Sequence, residues 1–200
     1  MLLDMVHRVR SYQPKTIKVA SHVPQAAVLV PITESTHPQV ILTQRATGLS
    51  THSGEVAFPG GHYEQQDVDL IATALREAHE EVGLLPERVK VVGPLSTLMS
   101  KHGVSVTPYV GLVAEHTEYV ANESEIAAIF SVPLSFFADD AREMTHRIDY
   151  QGRSWYVPSY QFEGYKIWGL TAIMLVELTN LVFGADIDLH RPPVGKLKII

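Results

Sequence analysis

The chain contains no cysteine, which excludes disulfides, thiolate nucleophiles and zinc-thiolate sites together. Positive charge is scarce too: 16 Lys and Arg stand against 22 Asp and Glu, a net charge of −6 with a pI near 5.9. That balance argues against a surface built for nucleic acid or anionic lipid, so any phosphate must be met locally by a few placed cations. No apolar run approaches the ~20 residues needed to span a bilayer. The most apolar stretch, 167–176, is closed off by Lys166 and Glu177. Residues 1–14 set Leu2, Leu3, Met5 and Val6 around Asp4 and continue with His7, Arg8 and Arg10. This pattern suits a short amphipathic helix ended by Pro14 rather than a secretory leader.

Linkers, repeats and low-complexity tracts are also missing, and 46% hydrophobic against 19% charged residues is a globular composition. We expect one domain over 1–200, with a helical extension at 1–24, a core at about 25–183 and a tail at 184–200. The expected setting is cytoplasmic, as a monomer or homodimer acting on a small molecule, with no nucleic-acid or membrane partner.

Residues 26–32 form a continuous apolar run of strand length, and 39–45 a second strand beyond a polar turn; the first is expected at the centre of its sheet. Residues 48–54, rich in Gly, Ser, Thr and His, read as a loop, and 55–58 as a short strand entering Pro59-Gly60-Gly61. Helical periodicity runs from Val68 to Val82 and stops at Gly83, a suitable left-handed cap. Further strands are expected at 89–92, 104–114, 127–131 and 155–160, and a last long helix at 167–183. The predicted fold is a mixed α/β sandwich.

At 100° per residue, Ile71, Leu75, Ala78 and Val82 make the expected buried stripe of the first long helix. Glu77, Glu80 and Glu81 fall on another arc, where three carboxylates at i, i+3 and i+4 repel one another. Arg76, adjacent to one of them, is not expected to bridge the group, because neighbouring residues do not face each other on a helix. A hard divalent cation would, since it takes carboxylate oxygens together with water and substrate phosphate. Three solvated glutamates would be the ordinary alternative. What favours a cation is the glycine pair just before the helix, which lets backbone approach a ligand where a Cβ would obstruct.

Gly61 to Leu84 resembles the Nudix box, G-x5-E-x7-R-E-U-x-E-E-x-G-U, a signature of hydrolases acting on nucleoside diphosphates linked to another moiety. Arg76-Glu77-Ala78-His79-Glu80-Glu81-Val82-Gly83-Leu84 matches every defined place of its second half. In the first half Asp67 replaces Glu, and eight residues separate it from Arg76. Asp67 is thus either the partner of Arg76 or the helix N-cap, and we favour the N-cap.

Residues 41–46 and 54–61 resemble the coenzyme A pyrophosphatase signature, L-L-T-x-R-[SA]-x3-R-x3-G-x3-F-P-G-G, with Ile41 for Leu and Ser50 where the pattern has Arg. The extra residue before Arg76 is also usual in that subgroup. Residues 94–97, 103–111 and 167–172 look like its further blocks. The resemblance implies a Nudix α/β/α sandwich with a mixed sheet and cleavage of coenzyme A, and possibly acyl-CoA, to 4′-phosphopantetheine and adenosine 3′,5′-bisphosphate.

It also implies a site. Glu77, Glu80 and Glu81, with the Gly61 carbonyl, would hold Mg²⁺ or Mn²⁺, and Glu77 is a candidate base; Glu123 and Glu125 are rival bases. Arg45, Ser50, His52, Gly60 and Gly61 would meet the substrate, Arg45 by a bidentate grip on phosphate. Lys101 and His102 lie on a polar loop that either reaches the substrate or faces solvent. His79 falls off the glutamate arc. Trp168, Phe162 and Tyr160 read as core rather than an adenine platform. Ser50 keeps open another diphosphate such as ADP-ribose or NADH, whereas the three intact glutamates argue against a ligand sensor without turnover.

Overall fold

The computed structural model describes residues 2–47, 54–150 and 152–193. Its centre is β1 (Gln25–Glu34), which runs antiparallel to β2 (Gln39–Arg45) with Ile32 opposite Val40. Beyond that point the two strands separate. The gap is filled by one stretch of chain: β3 (Val56–Ala57) pairs with Thr43 and Gln44 of β2, and β4 (Gly60–His62) with Ala26–Val28 of β1. The other edge of β1 carries β7 (Ser105–Ala114) in parallel, flanked by β5 (Lys90–Pro94) and β6 (Leu98–Met99). β8 (Ile126–Pro133) lines β2 from outside. The first strand is central, as expected, and the sheet is mixed.

Alternation along β1 sends Ala27 and Leu29 to one face, against Ala74, Ala78 and Val82 of α2 (Leu70–Val82). Ala26, Val30 and Ile32 go to the other, where α3 (Gly169–Phe183) and α1 (Leu2–Ser11) close the larger core. The result is the expected α/β/α sandwich. A second sheet of β9 (Met144–Tyr150), β10 (Arg153–Phe162) and β11 (Tyr165–Ile167) packs by β10 on α3. Among the described residues no helix is long and apolar enough to cross a membrane.

Several expectations change. β4, β6, β9 and β11 were not predicted: three are two- or three-residue pairings with no period to read, and β9 mixes His, Arg and Asp into its alternation. The 167–183 helix starts at Gly169, and the 68–82 helix at Leu70. Asp69, not Asp67, is the N-cap, its carboxylate accepting from Ala72 N at 2.8 Å. Gly83 does close the helix in the left-handed region, at φ 68°.

The stripe of α2 is also rotated from expectation. Ile71 and Leu75 are only half-buried, whereas Thr73, Ala74, Ala78, Glu81 and Val82 are buried. Ala74, Ala78, Glu81 and Val82 stand at i, i+4, i+7 and i+8, the spacing of a core-facing stripe. Small residues let the helix settle onto the sheet along the alanine line, leaving the bulkier Ile71 and Leu75 on its flank.

Candidate active site

Glu81, 3% exposed, lies under α2 where β1 and β2 separate. Its Oε2 accepts from the Gly60 amide at 3.1 Å and its Oε1 from Arg45 Nη1 at 3.3 Å. Burial raises its pKa to about 7; the Gly60 bond and Arg45 oppose the rise, and the charges of Glu77 and Glu125 add to it. Glu77, with a side chain 16% exposed, is likewise raised by burial, with Arg76 opposing and Glu80 and Glu125 adding. Glu80 is 54% exposed. The glutamates therefore span the boundary from core to solvent and do not share one solvated face.

Arg76 bridges more of this group than expected. Its Nε and Nη2 donate to Asp67 Oδ1 and Oδ2 at 2.9 and 3.0 Å, and Nη2 also reaches the His62 carbonyl at 3.0 Å. With that side pinned, Nη1 is presented to Glu77 at 3.0 Å and Glu80 at 3.2 Å. The rule that adjacent residues do not face each other fails here because the guanidinium, anchored outside the helix, turns back on it. Asp67 is thus the partner of Arg76. It also accepts from Glu64 N and Thr73 Oγ1, and the Arg76 bonds above all hold its pKa far below the carboxylate norm.

The two glycines have distinct geometric duties. A Cβ on Gly60 would overlap the Ala27 carbonyl and Val28, and one on Gly61 would overlap the Glu77 carboxylate. Leu29 N bonds Pro59 O and Tyr63 N bonds Gln25 O, so in this ladder the intervening pair, Ala27 and Gly61, is the hydrogen-bonded one. That turns the Gly61 carbonyl toward β1. Gly60 faces the opposite way, as its amide contact with Glu81 shows.

The loop before β8 is tied to the same place. Val120 N and Asn122 N bond the Val82 and Glu81 carbonyls at the end of α2. The Glu125 carbonyl takes the Ala46 amide at 2.7 Å, and Ile126 pairs with Arg45. Glu125 is half-buried and felt by both Glu77 and Glu81, whereas Glu123 is exposed.

Of the other candidates, Lys101 and His102 sit exposed in the turn between β6 and β7, and His79 is exposed on α2. Ser50 and His52 lie outside the described residues. Arg45 meets Glu81, and its Nε is buried without a partner. Among the described residues no three acidic or histidine side chains enclose a point an ion could fill, since Glu81 is drawn to Gly60 and Arg45 while Glu77 and Glu80 are drawn to Arg76. The Asp67–Arg76 pair was weighed in the sequence and passed over. Its signal was Asp69, which stands three residues before Ala72 and so leaves Asp67 free.

The NUDIX domain family profile matches residues 23–149. A curated relative from Enterobacter sp. (strain 638), named uncharacterized Nudix hydrolase NudL, is 40% identical over 183 residues, covering 88% of this chain and 91% of its own. Its namesake from Citrobacter koseri is 40% identical over 175 residues with the same coverage. Among solved structures, the Nudix hydrolase RenU of M. smegmatis aligns with a TM-score of 0.48 at 24% identity, over 58% of this chain and 74% of its own. The chain belongs to the Nudix hydrolase family.

Proposed function

We propose that the chain hydrolyses the diphosphate of coenzyme A, releasing 4′-phosphopantetheine and adenosine 3′,5′-bisphosphate, with a divalent cation. The observation that carries this reading is the charge at the site: Glu77 and Glu81 are withdrawn from water, Glu77 adds to the rise of Glu81, both feel Glu125, and Glu81 lies beside Arg45. Buried carboxylates in excess of their cations form the hard oxygen donor set that suits Mg²⁺ or Mn²⁺. Glu77, Glu80 and Glu81 are its proposed holders, with the Gly60 carbonyl in place of Gly61, whose oxygen the ladder directs to β1. When bound, such an ion supplies charge neutralisation for the diphosphate and a more acidic water.

The protein's own groups do the rest. Arg45, anchored at the end of β2, grips a phosphate oxygen. Glu77 or Glu125 accepts the proton of the attacking water. Arg76, fixed by Asp67, holds Glu77 and Glu80 in register and limits their repulsion. The coenzyme A signature at 41–46 and 54–61 supports the choice of substrate.

The test is a product assay on coenzyme A, dephospho-CoA, ADP-ribose and NADH in ¹⁸O-labelled water. Coenzyme A should be preferred, with label in a phosphate of one product. Preference for ADP-ribose, or release of free coenzyme A from an acyl-CoA, would reject the assignment.

A further inference from the structure

Of the three aromatic residues that the sequence assigns to the core, two are there. Tyr160 is fully buried and meets Phe137 edge-on, and Phe162 packs edge-on against Phe136 at 5.1 Å. Trp168, partly buried like Phe162, differs in its neighbours: it stands at the mouth of α3 with its indole against basic side chains. Lys166 Nζ lies over that indole, 5.2 Å from the ring centroid, and the imidazole of His146 flanks it at 5.4 Å with a 46° tilt. Register explains the grouping: His146 pairs with Val157 and Lys166 with Gln161 of β10, four residues apart and so on one face of the small sheet.

Among the described residues neither basic group has an ion-pair or hydrogen-bond partner. Lys166 makes no ion pair among the described residues, and His146 Nε2 is buried without a hydrogen-bond partner. In a chain with net charge −6, an ammonium resting on an indole instead of a carboxylate marks a place kept for an anion. The cluster is also close to the carboxylate site. Thr171, one turn into α3, donates to the Val56 carbonyl at 3.0 Å; Val56 pairs with Gln44, and Arg45 N bonds Glu55 O. One helical turn, one hydrogen bond and one strand pairing therefore link Trp168 to the end of β2 that carries Arg45.

We propose that Trp168, Lys166 and His146 form a subsite for the base and adjoining phosphate of a purine nucleotide. The indole, flanked by His146, stacks on the base, and Lys166 meets a phosphate on its ribose. Stacking of this kind is worth about tenfold to a hundredfold in affinity. The subsite deepens the proposed function and rests on it in one respect, that the substrate is a nucleotide. It also supplies a reason for choice: the ribose phosphate present in coenzyme A is missing from dephospho-CoA and ADP-ribose.

The chain has two tryptophans, so Trp155→Phe leaves Trp168 as the sole emitter. Titration with adenosine 3′,5′-bisphosphate and with AMP should quench it saturably, the bisphosphate binding about tenfold more tightly, while ribose 5-phosphate should do nothing. Lys166→Gln should erase the bisphosphate's advantage and keep the quench by AMP. Unchanged emission at bisphosphate concentrations that fully inhibit turnover would overturn the subsite. Should Trp155→Phe not fold, Trp168→Leu in the native chain serves: KM for coenzyme A should rise about tenfold with kcat held within about twofold, and an unchanged KM overturns the proposal. Quenching without turnover of coenzyme A would keep the subsite and remove the substrate assignment; turnover without quenching would do the reverse.

Discussion

Glu81 and Arg45 meet at 3.3 Å from different elements, the acid from under α2 and the guanidinium from the end of β2. The contact is too long and too lightly shared to repay the acid's burial, and Glu81 titrates near 7 instead of 4.5. A raised folded-state pKa means that the native protein holds this proton more firmly than the unfolded chain does. The stabilising contribution is therefore complete below about pH 4.5 and disappears as pH rises through about 7. In chelator-treated protein, denaturant midpoints at pH 5 and pH 8 should show wild type losing about 3 kcal/mol more than Glu81→Gln, which stays neutral throughout. Parallel loss in the two proteins would show that Glu81 carries no such burden.

The Asp67–Arg76 pair works with the opposite sign. Its depressed folded pKa gives stability that is present above the ordinary carboxylate value of 3.8 and lost as pH falls below it. Asp67→Asn leaves a largely buried guanidinium half-partnered and removes the anchor that aims it at Glu77 and Glu80. Loss of a partner in a buried pair costs about 3 kcal/mol or more, measurable by urea unfolding at neutral pH. The difference from wild type should shrink as the solution is acidified. A cost below about 1 kcal/mol would reduce the pair to a surface contact.

Where the sequence was informative, periodicity or a strong stop was the cause. β1 and β2 were legible as an apolar run and its neighbour, and Gly83 as the end of α2. The spacing of the candidate glutamates singled them out, but their environments were not legible from it. Phasing α2 on Ile71 and Leu75 turned Glu81 outward, whereas the sheet is approached along the alanines, a choice made by tertiary fit. Long-range geometry hid the rest: Arg76 turns back on its own helix only because Asp67 and the His62 carbonyl hold it, and Glu125 nears the site only through the Asn122 and Ala46 contacts.

If Glu80 and Glu81 both hold the cation, Glu80→Gln and Glu81→Gln should each lower kcat by orders of magnitude at saturating metal. Glu80 offers the cleaner comparison, because a half-exposed helix position accepts Gln with little change in stability. Circular dichroism and a thermal melt establish that the variant is folded before its rate is measured. Near wild-type kcat in either variant would remove that residue from the metal set.

Glu125 and Glu123 are two residues apart, yet only Glu125 is felt by Glu77 and Glu81. Its carbonyl is fastened to Ala46 and its neighbour Ile126 to Arg45, so the backbone beneath it is anchored to β2. Glu123 sits exposed in the same loop. A group that takes the proton of the attacking water must be held within reach of it, and the carboxylate with a fixed backbone meets that requirement. Glu125→Gln should therefore reduce kcat by about a hundredfold or more, while Glu123→Gln stays close to wild type. The two assignments of Glu125 separate by metal titration of the same variant. A base alone leaves the metal concentration for half-maximal rate unchanged, whereas a residue that also holds the cation raises it. Equal rates for Glu125→Gln and wild type would return the proton transfer to Glu77.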